Sequence, residues 1–172
     1  MVAAILVGAC GGPAALTGAV VAKLSAGDPT DEVLKNGAYE IPYLGPIQLS
    51  NGGYEKIYGD GVSMVNIAGY MQAAFGDLNQ DGSKDAVVIV WGNSGGSGIF
   101  VYMVDVTNKG KILRRAANSL LGDRVKMTSL TIEGGKIVAK TLGFAAKVAT
   151  CCPSVEVTQT FALEGNVLKE MN

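Results

Sequence analysis

Short apolar runs separated by turn-forming residues follow one another along most of the chain, and they predict strands rather than helices. The runs 85–91 and 99–106 are apolar at almost every consecutive position, which predicts central strands whose two faces are both covered. The segment 93–98 between them is rich in Gly and Ser, so we expect it to join the two strands as a hairpin. The run 155–163 alternates apolar and polar residues, the pattern of a strand with one buried face.

Other short runs complete this pattern. Segment 112–121 fits either a strand or the single helix of the fold, whereas residues 50–53 have the composition of a turn that favours positive φ. Strands this frequent predict an all-β fold with at most one short helix, in which an antiparallel meander forms a sandwich or a half-open barrel. The remaining predicted strands are 38–41, 47–49, 54–58, 63–75, and a hairpin of 125–132 with 136–142.

Composition narrows the class of protein. The chain has 172 residues, 48% of them hydrophobic, which is enough to bury the core of one domain, and its 24 glycines suit many tight turns. It has no histidine, which excludes Ser-His-Asp and Cys-His catalysis and histidine-ligated metals. Its 14 basic and 15 acidic residues give a net charge of -1, so the sequence carries no basic footprint for a nucleic acid.

The N-terminal segment 1–22 carries no charge and predicts an export signal or an anchor. Gly11-Gly12-Pro13 interrupts it, so the continuous apolar stretch is too short to span a membrane but long enough for the apolar part of a signal peptide. Val7-Gly8-Ala9-Cys10 resembles a bacterial lipobox, which implies lipid attachment at Cys10. The segment departs from an export signal because no Lys or Arg precedes Cys10. The alternative is an apolar strand or helix packed on the core.

We therefore expect three parts in the chain. Residues 1–22 are an export or lipoprotein-type signal or anchor, residues 23–34 are a linker, and residues 35–172 are a single β-rich domain. The compartment that follows is the bacterial cell envelope or the extracellular space, with membrane contact through a lipid on Cys10.

The other two cysteines, Cys151 and Cys152, are adjacent in the sequence. If they pair with each other, they form a vicinal disulfide, which is strained because neighbouring Cα atoms lie only ~3.8 Å apart. The alternative is two buried thiols that face opposite sides of a strand. Two cysteines without histidine are too few ligands for a zinc site.

The most specific motif is the acidic segment 77–85, whose sequence is DLNQDGSKD. Oxygen-bearing side chains occupy its first, third, fifth and ninth positions, glycine occupies the sixth, and the seventh residue can offer its backbone carbonyl. This is the ligand order of a calcium loop, because Ca²⁺ takes about six to eight hard oxygen ligands at ~2.3–2.6 Å. The alternative is a Gly/Asp-rich turn with solvated carboxylates. We predict calcium as the cofactor, with five ligand residues: Asp77, Asn79, Asp81, Ser83 and Asp85.

The loop resembles the calcium loop of integrin-type FG-GAP repeats, because Phe75-Gly76 precedes it and an apolar strand follows it. In those repeats the ninth-position carboxylate closes the site, which gives that role to Asp85. A longer resemblance covers roughly residues 35–165 and points to an uncharacterised domain of bacterial exported proteins and lipoproteins. It is carried by segment 75–98, LGDRV at 121–125, SLTI at 129–132 and CCP at 151–153. This resemblance implies location and architecture, and it brings no established activity.

Gly92-Asn93-Ser94-Gly95-Gly96 has the spacing of a serine-nucleophile elbow. Because the chain has no histidine, only a Ser-Lys pair with Lys84 or Lys140 could activate Ser94, and we interpret the segment as a hairpin turn. The other singled-out residues have structural interpretations: core packing for Trp91 and Tyr102, and a turn salt bridge for Asp123 with Arg124.

Three hypotheses for function follow. The first is a non-catalytic, calcium-binding β-domain with a binding or structural role in the bacterial envelope; the sequence names no protein or glycan ligand. The second is a metal-dependent or Ser-Lys hydrolase, which requires Asp85, Ser94 and a lysine to converge in one pocket. The third is a self-assembling extracellular subunit, a homo-oligomer in which segment 1–22 pairs with a neighbouring copy.

Overall fold

The computed structural model describes residues 27–58, 64–109, 112–144, 153–165 and 167–171. These residues form three antiparallel sheets and one short helix, which confirms the predicted all-β class. None of these sheets closes into a barrel, and their packing in layers is consistent with the predicted sandwich.

The elements follow one another along the chain with short connections. They are α1 (Asp31–Lys35), β1 (Ala38–Ile41), β2 (Gly45–Gln48), β3 (Gly53–Tyr58), β4 (Met64–Gly76), β5 (Asp85–Ser94), β6 (Phe100–Lys109), β7 (Ile112–Asp123), β8 (Lys126–Glu133), β9 (Lys136–Gly143), β10 (Val155–Glu164) and β11 (Val167–Met171).

The central layer is a five-stranded meander with the strand order β3-β4-β5-β6-β7. Its middle strands, β5 and β6, are buried on both faces over most of their length, as their continuous apolar runs predicted. The two strands pair as an antiparallel hairpin, which confirms the turn at 93–98. Segment 112–121 lies within β7, so it is a strand and not the helix that the sequence also allowed.

A four-stranded sheet with the order β11-β10-β9-β8 packs against one face of the meander. We call the buried cluster between these two sheets the inter-sheet core. Its members are Ala74, Leu78, Val87, Ile89, Val101, Met103, Ile137, Ala139, Phe161 and Leu168. Fully burying one such large side chain stabilises the fold by ~1.5–3 kcal/mol.

The β1–β2 hairpin and α1 cover the opposite face of the meander. Leu34, Tyr39 and Ile41 pack there with Val88 and Val90, in what we call the hairpin-side core. Helix α1 begins at the N-cap Thr30, whose hydroxyl accepts a hydrogen bond from the Val33 N–H.

Helix α1 corrects the predicted linker 23–34. Residues 31–34 are helical and Leu34 is fully buried, so the folded domain begins before the expected start at Lys35. The pattern missed this helix because a single turn presents too few apolar positions to show a helical period.

Several predicted features lie outside the described residues: the apolar segment 1–22 with Cys10, and the pair Cys151 and Cys152. Among the residues that the structure describes, none belongs to a helix of the length and apolar character that crossing a membrane requires.

Candidate functional site

The acidic loop 77–84 connects the end of β4 to the start of β5 at one edge of the sandwich. Leu78 anchors it, because this side chain is buried in the inter-sheet core. Gln80 leans on the β8–β9 turn, where its Nε2 donates to the Gly134 carbonyl at 3.4 Å. Gly82 has a φ of 84°, so the sixth position of the motif needs glycine, as the sequence indicated.

The polar side chains of the loop accept hydrogen bonds from the loop's own backbone and so hold it in a compact turn. The two carboxylate oxygens of Asp77 accept from the N–H groups of Asp81 at 3.1 Å and Gly82 at 2.9 Å. The Asn79 side-chain oxygen accepts from the Asp81 N–H at 3.0 Å, and Asp81 accepts from the Ser83 N–H at 2.8 Å. Four of the five predicted ligand residues are therefore consecutive parts of one hydrogen-bonded turn.

Asp85, the fifth predicted ligand, differs from the other four because its side chain is fully buried. One of its carboxylate oxygens accepts from the N–H groups of Leu78 at 2.9 Å and Asn79 at 3.4 Å. The other oxygen accepts from the N–H of Asn108 on β6 at 2.8 Å. Asp85 thus joins both the start of the loop and a neighbouring strand to the first residue of β5.

The carboxylate of Asp81 is exposed, and hydrogen bonds within the loop stabilise its charged form. The backbone N–H of Ser83, chiefly, lowers the pKa of Asp81 below its ordinary value, and hydrogen bonds from the side chains of Ser83 and Asn79 and the charge of Lys109 add to this effect. Asp81 is therefore an anion at neutral pH, and it stands where solvent or a cation can reach it.

Two carboxylates, Asp77 and Asp81, remain on the solvent side of the loop once Asp85 is turned inward. Among the residues described, no three or more His, Cys, Asp or Glu side chains are grouped so that they could hold a metal ion. A cation at this loop would therefore depend on Asp77, Asp81, neutral oxygens and water rather than on three carboxylates.

The structure separates the residues that the hydrolase hypothesis requires. Asp85 and Ser94 are the first and last residues of β5, which places them roughly 30 Å apart at ~3.3 Å per residue. Lys84 adjoins Asp85, and its Nζ lies 4.7 Å from the centre of the Phe75 ring. Lys140 is exposed on β9, next to the inward-facing Ala139 and Thr141 and therefore on the outer face of that sheet. The prediction that Asp85, Ser94 and a lysine converge in one pocket was therefore wrong.

Two smaller interpretations are confirmed. Tyr102 is buried in the hairpin-side core, and Arg124 forms a salt bridge with Asp123 at 2.6 Å. Trp91 packs at the margin of the inter-sheet core and is only half-buried.

Sequence reasoning missed the part played by Asn108. It stands 23 residues beyond Asp85, and only the register between β5 and β6 brings its N–H to the carboxylate. No local motif signals a pairing across that separation.

In comparisons with known proteins, no family model matches this chain, and neither a curated protein nor a solved structure does.

Proposed function

We propose that this chain is a non-catalytic, calcium-binding β-domain exported to the bacterial envelope, where it has a binding or structural role. The observation that carries the proposal is the self-folded acidic loop. Its backbone amides donate hydrogen bonds to the side chains of Asp77, Asn79 and Asp81 and so hold them in position. Preorganised oxygens lose less entropy on binding than oxygens on a loose loop.

The hydrogen bonds of the loop leave capacity for a cation. A carboxylate oxygen has two lone-pair positions, and each oxygen of Asp77 accepts one described N–H. Together with the oxygens of Asn79 and Asp81 and the Ser83 carbonyl, these lone pairs supply most of the oxygens that Ca²⁺ needs, and water supplies the rest. In this proposal Asp85 holds the loop in shape from behind.

Affinity in this site should be low. Calcium affinity rises with the number of charged ligands, and only Asp77 and Asp81 carry charge toward solvent. We therefore expect a Kd of ~10⁻⁴–10⁻³ M, the range of extracellular calcium modules.

Thermal unfolding tests the calcium site. With a Kd of ~1 mM, calcium at ~10 mM stabilises the folded state by ~1.4 kcal/mol, through its preference for that state. This corresponds to a rise in Tm of ~3–6 °C for a domain of this size. Magnesium at the same concentration is the control for ionic strength, and it should give a smaller rise.

Two variants locate the effect. Asp81→Asn keeps the shape of an exposed loop side chain but removes its charge, so the calcium-dependent rise in Tm should shrink. Glu164→Gln, at an exposed ion pair with Lys169 on the other sheet, should leave the rise unchanged. Equal melting temperatures in calcium and in chelator would contradict the calcium site.

Export and lipid attachment rest on the lipobox-like step that ends at Cys10. Intact-mass measurement of the native protein tests them, because cleavage before Cys10 and acylation each change the mass. The same spectrum reports whether Cys151 and Cys152 have lost two hydrogens to a disulfide. An unprocessed N-terminus in an envelope-competent bacterial host would contradict the lipid anchor and leave the calcium proposal standing.

A further inference from the structure

An apolar cavity opens at the end of β5 opposite the acidic loop. Its volume is about 340 Å³, within the size range of ~300–1,000 Å³ typical of small-molecule sites. Two of its apolar side chains remain well exposed, Met71 by 39% and Ile99 by 40%. The described residues of the lining are Met71, Trp91, Ile99, Val101, Arg124 and Val125.

Hydrogen bonds to the backbone of Ile99 hold the exposed wall of this cavity in place. The Ile99 N–H donates to the Asp123 carboxylate at 2.8 Å, and the Ile99 carbonyl accepts from the Arg124 N–H at 2.7 Å. Arg124 adopts a φ of 52°, a left-handed conformation that strains a residue with a side chain. An apolar side chain fixed toward solvent in this way is a preorganised contact surface, which reduces the entropy lost when a ligand binds.

The indole of Trp91 forms another wall because its cross-strand neighbour on β4 is Gly69. A Cβ atom on Gly69 would lie only 2.4 Å from Nε1 of Trp91 and 2.7 Å from Cε2. The missing side chain thus lets the ring lie against the β4 backbone while the ring also lines the cavity.

Among the described residues of the lining, Arg124 alone is charged, so an anionic group of a ligand would bind there. Its Nε and Nη2 donate to one oxygen of Asp123, at 3.1 Å and 2.6 Å. A guanidinium group has five N–H donors, so further donors remain for a second anion. A carboxylate matches guanidinium geometry well.

The volume sets the length of the ligand. At ~30 Å³ for each water-sized group, about 340 Å³ holds roughly eleven non-hydrogen atoms. We propose that the cavity binds a monocarboxylate with an unbranched apolar chain of about seven to nine carbons, with the chain against Trp91 and the carboxylate at Arg124. This site goes beyond the proposed calcium function and does not depend on it.

Fluorescence of the full-length chain tests the proposal directly, because Trp91 is its only tryptophan. Octanoate, 1-octanol and octylammonium are titrated separately below their aggregation limits, in chelator. We expect a saturable change with octanoate at ~0.1–1 mM, since affinity per atom is modest for ligands of this size. Octanol should bind about fivefold or more weakly, and octylammonium more weakly still, because an ammonium group cannot accept a hydrogen bond from the remaining N–H donors of Arg124.

Three variants identify the site. Ile99→Asn should weaken octanoate binding about tenfold by removing an apolar wall. Arg124→Asn removes the charge while tolerating the left-handed backbone, so it should abolish the preference for octanoate over octanol and retain octanol binding. Leu120→Asn is the matched control: Leu120 is 54% exposed, and it pairs with Tyr102, which faces the other core.

Three results would overturn the proposal. The first is no saturable response to any of the three ligands at ~10 mM, with the protein folded by its thermal transition. The second is equal affinity for octanoate and octylammonium. The third is a lower solution mass for Ile99→Asn than for the parent chain, which would make the cavity wall an interface between copies. Because the titrations are done in chelator, none of these results bears on the calcium site.

Discussion

Replacing Asp85 with alanine tests whether its carboxylate holds the loop in place or serves only as a calcium ligand. The side chain is fully buried and accepts three backbone N–H bonds, two of them at 2.9 Å and 2.8 Å and the third at 3.4 Å. Alanine leaves the N–H groups of Leu78 and Asn108 without this acceptor in a buried setting. Each such loss costs ~1–3 kcal/mol.

One opposing effect reduces this cost. The carboxylate itself was desolvated on folding, and alanine removes that penalty. We therefore expect Asp85→Ala to lower the free energy of unfolding by ~2–4 kcal/mol, against a typical total of ~5–15 kcal/mol. The same loss lowers Tm by ~5–15 °C. Asp85→Asn keeps one acceptor oxygen but turns an NH₂ group toward a backbone donor, so we expect a smaller but clear loss.

Urea unfolding in chelator, followed by Trp91 fluorescence, measures this loss without calcium. The midpoint should fall while the slope stays constant, since the area exposed on unfolding hardly changes. Glu164→Ala is the control, because an exposed ion pair contributes only ~0–1 kcal/mol. If Asp85→Ala matches the parent chain in chelator and loses stability only when calcium is present, Asp85 is a ligand and our assignment of its role fails.

Three further outcomes follow from single contacts. Gly69→Ala should displace the Trp91 ring and shift its emission while the sheet persists, as circular dichroism would report; an unchanged spectrum would contradict the close approach of residue 69 to the indole. Leu34→Ala should cost ~2–5 kcal/mol in urea unfolding, because the side chain is fully buried, and a negligible cost would return α1 to the linker. The lowered pKa of Asp81 stabilises the fold above ~pH 3.9, and this contribution disappears as the pH falls through the folded-state pKa, so Asp81→Asn should flatten the acid limb of the stability curve.

Much of the fold was accessible from the sequence because hydrophobic pattern reports burial directly. The runs that became β5 and β6 are apolar at consecutive positions, and the structure covers both of their faces. The glycine at the sixth position of the acidic loop has the positive φ that the motif implied. In these cases the information is local, and the physical cause acts within a few residues.

The features that escaped prediction depend on pairing across the sheet. The lining of the apolar cavity brings together residues of four separate chain segments, and the contact of Trp91 with Gly69 follows only from the β4–β5 register. A bulge between Tyr70 and Gln72 shifts that register by one residue, so alternation counted back from Ala74 would put Met71 on the face opposite Trp91, although both residues line the cavity. The sequence pattern shows which residues are apolar, but it does not show which residue each of them contacts on the neighbouring strand.

Strand β5 connects the two candidate sites, since Asp85 begins it and Trp91 lies six residues further on, roughly 20 Å away. Residues 86–90 between them are fully buried in two packed cores, where a second arrangement would disrupt close packing on both faces of the strand. Coupling between distant sites needs an element that both sites bias between alternative states. We therefore expect Asp85→Asn and Ile99→Asn to be additive in urea unfolding, with an interaction energy below ~0.5 kcal/mol. An interaction energy above ~1 kcal/mol would show that the loop and the cavity are energetically coupled. The calcium and carboxylate proposals would then have to be tested together.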